Sequence, residues 1–156
     1  MRIGIGYDVH QFAAGRPLVL GGVRIDYPLG LLGYSDADAA LHAIADAILG
    51  AAALGDLGRH FPTGDPRFRD ASSLDILRQV VGLVAERGLR VGNVDVTIVA
   101  QVPRLAPYVE AMRTAIAPVL GIPIDRVSVK ATTTDHLGFA GRKEGVAALA
   151  VALLEE

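Results

Sequence analysis

The most constraining feature of the sequence is an alanine-rich apolar segment, residues 35–53, that carries polar residues at a regular spacing. Ser35 followed by Asp38 fits the capping-box pattern, which predicts a helix from residue 35 to about residue 53. Asp38, His42 and Asp46 recur every four residues and therefore share one stripe of that helix. Because the rest of the helix is apolar almost all round, we expect a buried helix with a polar stripe.

The other segments alternate between strand and helix patterns. Strand periodicity and a Gly-Gly hairpin motif predict five extended segments: residues 2–10, 18–20, 23–25, 91–100 and 127–133. Amphipathic or apolar segments that end at a glycine predict two further helices: residues 72–87 and 107–120. Loops are predicted at three places: residues 29–33, 54–71 and 138–145. The tail, residues 146–154, fits either a helix or a buried strand.

This order of elements predicts a single domain, residues 1–156, with an α+β fold. We expect a two-layer sandwich, in which a mixed four-stranded sheet carries the helices on one face. Hydrophobic residues make up 51% of the chain, which is enough for a substantial core. The net charge of −2, with the charges interspersed, argues against a nucleic-acid-binding surface. No signal peptide or membrane-spanning run is found, so a cytoplasmic protein is expected.

The absence of cysteine restricts any metal site to histidine and carboxylate ligands. Asp8 and His10 alternate at the end of the first predicted strand and therefore point to the same face. Such a pair is often only polar surface, but with His42 it forms a set of two histidines and one carboxylate, which is typical of catalytic zinc. Asp38 is interpreted as a helix cap, and Asp46 as a partner that fixes an imidazole tautomer.

A threonine run, Thr132-Thr133-Thr134, follows the predicted strand at residues 127–133 and leads to Asp135. Hydroxyl and backbone N–H groups at this point are suited to phosphate oxygens, and Asp135 is suited to Mg²⁺, which prefers a carboxylate together with substrate phosphates. The alternative is a threonine-rich strand that ends in an ordinary turn.

The Gly4-x-Gly6 pair does not extend to a dinucleotide-binding motif, because Val9 occupies the place of the third glycine.

Five segments in order resemble the cyclodiphosphate synthases of the non-mevalonate isoprenoid pathway. They are Gly6-Tyr7-Asp8-Val9-His10, Ser35-Asp36-Ala37-Asp38 with Leu41-His42-Ala43, Gly55-Asp56-Leu57-Gly58, Ala131-Thr132-Thr133-Thr134 and Gly141-Arg142-Lys143-Glu144-Gly145. The resemblance implies conversion of 4-diphosphocytidyl-2-C-methyl-D-erythritol 2-phosphate to a cyclic diphosphate with release of CMP. It also implies a homotrimer with active sites between subunits, and a strand at residues 146–154.

The resemblance further assigns roles to individual residues. Zn²⁺ would be held by Asp8, His10 and His42, and Asp135 would meet Mg²⁺ or Mn²⁺ that bridges the diphosphate. Two residues would be catalytic: Tyr34, which would donate a hydrogen bond to a substrate phosphate, and Thr133, which would assist the transition state. The implied substrate-binding residues are Asp8, His10, Tyr34, Ser35, Asp56, Leu57, Gly58, Phe61, Pro62, Thr63, Gly64, Asp65, Ala100, Gln101, Val102, Pro103, Arg104, Leu105, Ala106, Ala131, Thr132, Thr133, Thr134, Asp135, Phe139 and Arg142. A central cavity on the threefold axis, lined by Phe139, Arg142 and Glu144, would accept an isoprenoid diphosphate.

The chain departs from the pattern of this family at four places. Tyr34 stands where the family usually has histidine, and Thr63-Gly64 replaces the usual aspartate followed by threonine or asparagine. Arg104 replaces lysine and Asp135 replaces glutamate, so these two changes keep the charge. The first two departures concern the loops expected over the substrate phosphates and do not touch the predicted zinc ligands.

Two other functions fit the same residues. A metal-dependent phosphoester hydrolase would use water as its nucleophile and give an open-chain product. A non-catalytic trimeric module would bind an isoprenoid diphosphate in its central cavity without releasing CMP.

Overall fold

The computed structural model describes residues 1–156. The strands are β1 (Arg2–Ala13), β2 (Leu18–Leu20), β3 (Val23–Ile25), β4 (Gly30–Leu31), β5 (Arg90–Val99), β6 (Val127–Thr132) and β7 (Gly145–Glu155). The α-helices are α1 (Ala39–Ala51), α2 (Leu57–His60), α3 (Ser73–Ala85), α4 (Val109–Leu120) and α5 (Gly138–Gly141). Single 3₁₀ turns are formed by Pro66–Phe68, Ala106–Tyr108 and Ile124–Arg126.

The fold is α+β with a mixed sheet, as predicted, but the sheet has five strands and not four. Its order is β4-β1-β7-β5-β6, with β5 and β6 parallel and the other pairs antiparallel. The fifth strand, β4, has only two residues, and they pair with Phe12 and Ala13 where β1 runs beyond β7. Strands β2 and β3 form the separate hairpin that the Gly-Gly motif predicts.

Helix α1 lies unusually close to β1, and the contact depends on glycine. The even-numbered residues of β1 face the helix, and a Cβ built on Gly4 would lie 2.0 Å from the carbonyl oxygen of Ala47. A Cβ on Gly6 would lie 1.9 Å from the carbonyl oxygen of Ala43. Helix backbone thus occupies the space of the missing side chains, and the next two even positions, Asp8 and His10, point toward the same helix.

The start of α1 differs from the prediction. The helix begins at Ala39, because Ala37 adopts a positive φ of 58° and Asp38 is extended. Asp38 is the N-cap, as the interpretation of its role required, and its carboxylate accepts from Leu41 N at 3.0 Å. The same carboxylate accepts from the backbone N–H groups of Gly21 and Gly22 at 2.9 and 2.7 Å. Asp38 therefore joins the β2–β3 turn to the beginning of α1.

Asp38 gives the stability of the protein a defined pH dependence. Its complete burial raises the pKa of the carboxyl to about 6, against the opposing effect of its three backbone N–H donors. The folded protein keeps this proton to a higher pH than the unfolded chain does. The resulting contribution of Asp38 to the free energy of unfolding is therefore complete below about pH 4 and is lost as the pH rises through 6.

The test compares the free energy of unfolding of the parent with that of Asp38→Asn. We expect the parent to be more stable than the variant by a margin that is up to about 3 kcal/mol smaller at pH 7 than at pH 4. Asparagine does not titrate, so the difference between the two proteins isolates this carboxyl from all others. Urea unfolding of both proteins at the two pH values measures the effect. An equal difference at both pH values would mean that the buried carboxyl does not change its charge on folding.

Most of the other boundaries lie within two residues of the predictions, but β1 runs three residues beyond its predicted end at residue 10, and β4 lies inside the predicted loop at residues 29–33. The tail forms β7, the strand that the family resemblance implies, between β1 and β5. The predicted loops at residues 54–71 and 138–145 contain the one-turn helices α2 and α5, and α4 begins at Val109 after a 3₁₀ turn. None of the helices is long and apolar enough to cross a membrane.

The outer face of the sheet, opposite α1, is apolar over β1 and β7. Large side chains on this face are well exposed, with Ile3 at 73%, Ile5 at 67% and Tyr7 at 58%. Ile5 pairs with Val151 and Tyr7 with Leu149, and both partners are also exposed. A continuous exposed apolar patch of this kind is typical of an interaction surface.

Candidate active site

The structure brings Asp8, His10 and His42 together, as the sequence predicts. Strand β1 supplies the first two from one face, and the polar stripe of α1 supplies the third. Asp8 Oδ2 lies 2.8 Å from His10 Nε2 and 3.0 Å from His42 Nδ1, and the two nitrogens are 3.3 Å apart. Three atoms with lone pairs thus surround one point, with their side chains only partly exposed.

The charges of these groups support one another. Burial opposes ionisation of Asp8, but hydrogen bonds and charge attraction from His10 and His42 lower the pKa of its carboxyl to about 2. Burial also opposes a charge on His10, yet the hydrogen bond to Asp8 and its negative charge raise the pKa of the imidazole. The site is therefore built to hold positive charge next to the Asp8 carboxylate.

The triad fits a divalent metal ion. A tetrahedral zinc with bonds of about 2.0–2.1 Å spaces its ligand atoms by about 3.3 Å, close to the observed separations. The outer nitrogens are also engaged, because His10 Nδ1 lies 2.8 Å from the carbonyl oxygen of Leu32 and His42 Nε2 lies 2.9 Å from Ser73 Oγ. Both rings can therefore keep their proton on the outer nitrogen and present a lone pair to the metal.

The sequence did not indicate the residues that support His42. Ser73, at the start of α3, contacts the His42 ring and donates its hydroxyl to a carboxylate oxygen of Asp36. Asp46, expected to fix an imidazole tautomer, makes no hydrogen bond to either histidine ring. The Asp46 carboxylate instead accepts from the backbone N–H of Leu57 at 2.8 Å and anchors the start of α2.

A cavity of about 330 Å³ opens in front of the triad. It contains many of the residues predicted to bind substrate, and they come from three segments of the chain: residues 8–10, 34–35 and 56–63. The lining residues are Asp8, His10, Tyr34, Ser35, His42, Asp46, Asp56, Leu57, Gly58, Phe61, Thr63, Phe68 and Ile76. Asp56 caps α2 through a hydrogen bond from Arg59 N, which places the Asp56–Gly58 turn at the wall of the cavity.

A second cavity, of about 400 Å³, lies at the carboxyl ends of the parallel strands β5 and β6. All of its lining residues are among the predicted substrate-binding residues. They are Ala100, Gln101, Val102, Pro103, Arg104, Leu105, Ala106, Ala131, Thr132 and Thr133. This position matches the general tendency of ligands to bind beyond the carboxyl ends of parallel strands.

The two cavities are well separated within one chain. Asp8 pairs with Ala148, Ala148 with Ile98, and Ile98 with Ala131, so three steps between strands lie between them. At about 4.8 Å a step, Asp8 and Ala131 are roughly 14 Å apart along the sheet. A third and larger cavity, about 610 Å³, lies among residues 15–28 and includes none of the predicted site residues.

Seven predicted binding residues line neither cavity: Pro62, Gly64, Asp65, Thr134, Asp135, Phe139 and Arg142. The Asp65 carboxylate is paired with Arg67 at 2.6 Å and caps the following 3₁₀ turn. Asp135 is exposed just beyond β6, and Arg142 pairs with Glu144 at 2.9 Å. Of the seven residues, Asp65, Thr134 and Phe139 are partly buried and the other four are exposed.

Comparison with known proteins identifies the family. The model of the YgbB family matches residues 1–155. The 2-C-methyl-D-erythritol 2,4-cyclodiphosphate synthase of Pseudomonas aeruginosa strain UCBPP-PA14 is 61% identical over 99% of this chain and 98% of its own. The synthase of the same name from Syntrophobacter fumaroxidans is 62% identical over 99% of this chain and 97% of its own.

Solved structures agree with this assignment. A 2C-methyl-D-erythritol-2,4-cyclodiphosphate synthase in a CDP-bound form is 38% identical, with a TM-score of 0.90 over 99% of this chain and 100% of its own. The bifunctional IspDF of Campylobacter jejuni is 45% identical with a TM-score of 0.94, and the match covers 98% of this chain and 42% of that protein. The chain therefore belongs to the YgbB family, among relatives named as cyclodiphosphate synthases, and is an enzyme of the lyase class (EC 4.6.1.12).

Proposed function

We propose that this chain converts 4-diphosphocytidyl-2-C-methyl-D-erythritol 2-phosphate to 2-C-methyl-D-erythritol 2,4-cyclodiphosphate and releases CMP. The observation that carries the proposal is the convergence of Asp8, His10 and His42 at the wall of the 330 Å³ cavity. Relatives more than 60% identical bear the name of this synthase, and a related structure holds CDP.

The reaction requires no nucleophile from the protein, because the substrate supplies its own. The 2-phosphate of the substrate attacks the β-phosphorus of its own diphosphate, a new P–O bond forms, and the bond from that phosphorus to the CMP oxygen breaks. Zn²⁺ at Asp8, His10 and His42 would neutralise part of the phosphate charge. Holding both ends of one molecule in place supplies up to roughly 7–11 kcal/mol of the barrier.

The residues around the metal cavity would position the methylerythritol part and its phosphate. Tyr34 and Ser35 offer hydroxyl donors to phosphate oxygens, and the turn at Asp56 and Gly58 faces the same space. Backbone contacts hold the Tyr34 loop: Arg16 donates to the carbonyl oxygens of Gly33 and Ser35, and Asp70 N donates to that of Tyr34.

The nucleotide would occupy the second cavity, formed by residues 100–106 and 131–133. Arg104 supplies a positive charge for the phosphates, and Thr133 would support the transition state from the end of β6. Asp135, exposed two residues further on, would hold Mg²⁺ or Mn²⁺, which would neutralise charge on the substrate phosphates.

We infer that the active chain is a homotrimer, with each reaction site shared between neighbours. The two cavities lie roughly 14 Å apart along the sheet of one chain, which suggests that the metal cavity of one subunit meets the nucleotide cavity of the next. The apolar outer face of β1 and β7 offers the surface for such packing. Phe139, Arg142 and Glu144 would then line a central cavity suited to an isoprenoid diphosphate.

The trimer can be tested at the outer face. Ile5→Lys places a charge in the middle of the exposed apolar patch, so the variant is expected to sediment as a monomer where the parent sediments as a trimer. Ile124→Lys is the matched control, because Ile124 is also exposed, at 42%, but lies in a 3₁₀ turn away from β1 and β7. A trimeric Ile5→Lys variant would assign the interface to another surface.

The proposed reaction is tested by phosphorus NMR of the purified protein with Zn²⁺, Mg²⁺ and the substrate. We expect signals of a cyclic diphosphate and of CMP to rise together in equal amounts. An open-chain phosphate product would indicate a hydrolase, and binding without CMP would indicate a non-catalytic module. Either of these results would overturn the proposal.

The hydroxyl of Tyr34 is expected to take part in turnover. Tyr34→Phe removes only this group, and a hydrogen bond to a charged phosphate contributes about 1.5–3 kcal/mol, so turnover should fall roughly tenfold or more. Tyr34→His should keep or raise the rate and add a pH-dependent limb near neutrality, because imidazole titrates there.

Tyr27→Phe, outside both cavities, is the control for loss of a phenol hydroxyl and should turn over like the parent. Steady-state rates from pH 6 to 9 decide the question. Parent-like turnover of Tyr34→Phe across this range would assign phosphate contact to Ser35 and the loop backbone.

A further inference from the structure

We propose that Ser73 and Asp36 are positioning residues for the metal, holding the His42 ring in the tautomer that presents Nδ1 to the ion. The proposal rests on the metal-dependent function proposed above. Neither residue lies among those that the family resemblance assigns, and neither lines the metal cavity.

The His42 ring can serve as a ligand in only one neutral form. Its Nδ1 faces Asp8 Oδ2 at 3.0 Å, inside the triad, so this nitrogen must carry the lone pair when a metal is bound. The ring proton then resides on Nε2, which needs an acceptor. Ser73 Oγ lies 2.9 Å from Nε2. Ser73 is only 1% exposed, so water cannot readily replace its hydroxyl as the acceptor.

The direction of the hydrogen bonds is set by Asp36. A carboxylate can only accept, so the Ser73 hydroxyl must donate to Asp36 Oδ1, which leaves the Ser73 oxygen free to accept from His42. Asp36 is itself held in place, because Oδ2 accepts from Ser73 N at 3.0 Å and Oδ1 from Asp38 N at 3.2 Å. The series of hydrogen bonds therefore runs from the imidazole N–H of His42 through the Ser73 hydroxyl to the Asp36 carboxylate.

Ser35 is a weaker candidate for the same role. Its Oγ is 3.2 Å from His42 Nε2, but it already accepts from Ala37 N at 3.2 Å. Ser35 also lines the metal cavity, where its hydroxyl proton is available to a ligand. The other histidine needs no such support, because His10 Nδ1 faces the backbone carbonyl of Leu32 at 2.8 Å.

The test is a competition titration of Zn²⁺ against a chelating dye, with no substrate present. Loss of an outer partner of a metal-bound histidine typically weakens binding about 10- to 100-fold, and we expect this rise in the zinc dissociation constant for Ser73→Ala. Asp36→Asn keeps the shape but removes the charge, and it should weaken zinc binding less. Ser72→Ala is the matched control, because Ser72 is exposed and its side chain makes no capping bond.

Nitrogen NMR of the zinc-loaded proteins gives a second measurement, which a general loss of stability would not reproduce. With Nδ1 bound to zinc, the His42 Nε2–H should exchange slowly with water in the parent, because it donates to the buried Ser73 hydroxyl, and should exchange faster in Ser73→Ala. Unchanged exchange of this proton together with an unchanged zinc affinity in both variants would overturn the proposal. Failure of the parent to bind zinc would overturn it as well, whereas failure to cyclise the substrate would affect only the proposed reaction.

Discussion

Replacing His42 with alanine is expected to strip the metal from the protein and to lower turnover by about a thousandfold or more. His42 supplies one of only three protein ligand atoms, and Asp8 and His10 alone leave two positions of a tetrahedral ion to water. Alanine favours helix and suits the alanine-rich interior of α1, so the fold should persist while the metal is lost.

Metal analysis after gel filtration measures this effect directly. The parent should carry one zinc ion per chain, and His42→Ala should carry almost none. His60→Ala is the control: it also removes an imidazole, one whose Nε2 lies 2.9 Å from the Leu54 carbonyl oxygen outside the triad. Full zinc occupancy of His42→Ala would refute the assignment of this site.

The metal triad could be predicted because its parts follow simple periodicities. Period two in a strand places Asp8 and His10 on one face, and the four-residue spacing around His42 marks a polar stripe on an apolar helix. The contact between Ser73 and His42 could not be predicted, because it joins residues 31 positions apart on two helices. A serine at a helix start is an ordinary capping residue and carries no pattern of metal chemistry.

The errors in the fold lie at the start of α1 and at β4. The Ser35-x-x-Asp38 pattern fits a capping box, but the positive φ of Ala37 makes Asp38 the cap, and its partners Gly21 and Gly22 are distant in sequence. Strand β4 was missed because two residues cannot display a period. The ambiguous tail became a strand because it fills the position between β1 and β5, a tertiary effect that its composition does not reveal.

Gly6→Ala is expected to destabilise the protein by about 3 kcal/mol or more, at the upper end of overpacking effects. The added Cβ would lie 1.9 Å from the Ala43 carbonyl oxygen and 2.7 Å from Ala47 N. Both are backbone atoms inside α1, so no side-chain rotation can relieve the collision, and the whole helix must move away from β1. Since Ala43 follows His42, the same movement separates His42 from Asp8, and zinc affinity should fall together with stability.

Gly50→Ala provides the matched control on the same helix. Its Cβ would approach nothing closer than the Ile5 carbonyl oxygen at 3.8 Å, and Gly50 is exposed near the end of α1. Alanine there should raise stability by up to about 1 kcal/mol, through the lower entropy of the unfolded chain and better helix propensity.

Urea unfolding at one fixed protein concentration compares the variants, because unfolding of an oligomer depends on concentration. A Gly6→Ala variant within about 0.5 kcal/mol of the parent, the range of ordinary surface substitutions, would mean that α1 can yield without cost. The close fit of helix to strand would then have no part in placing His42 beside Asp8.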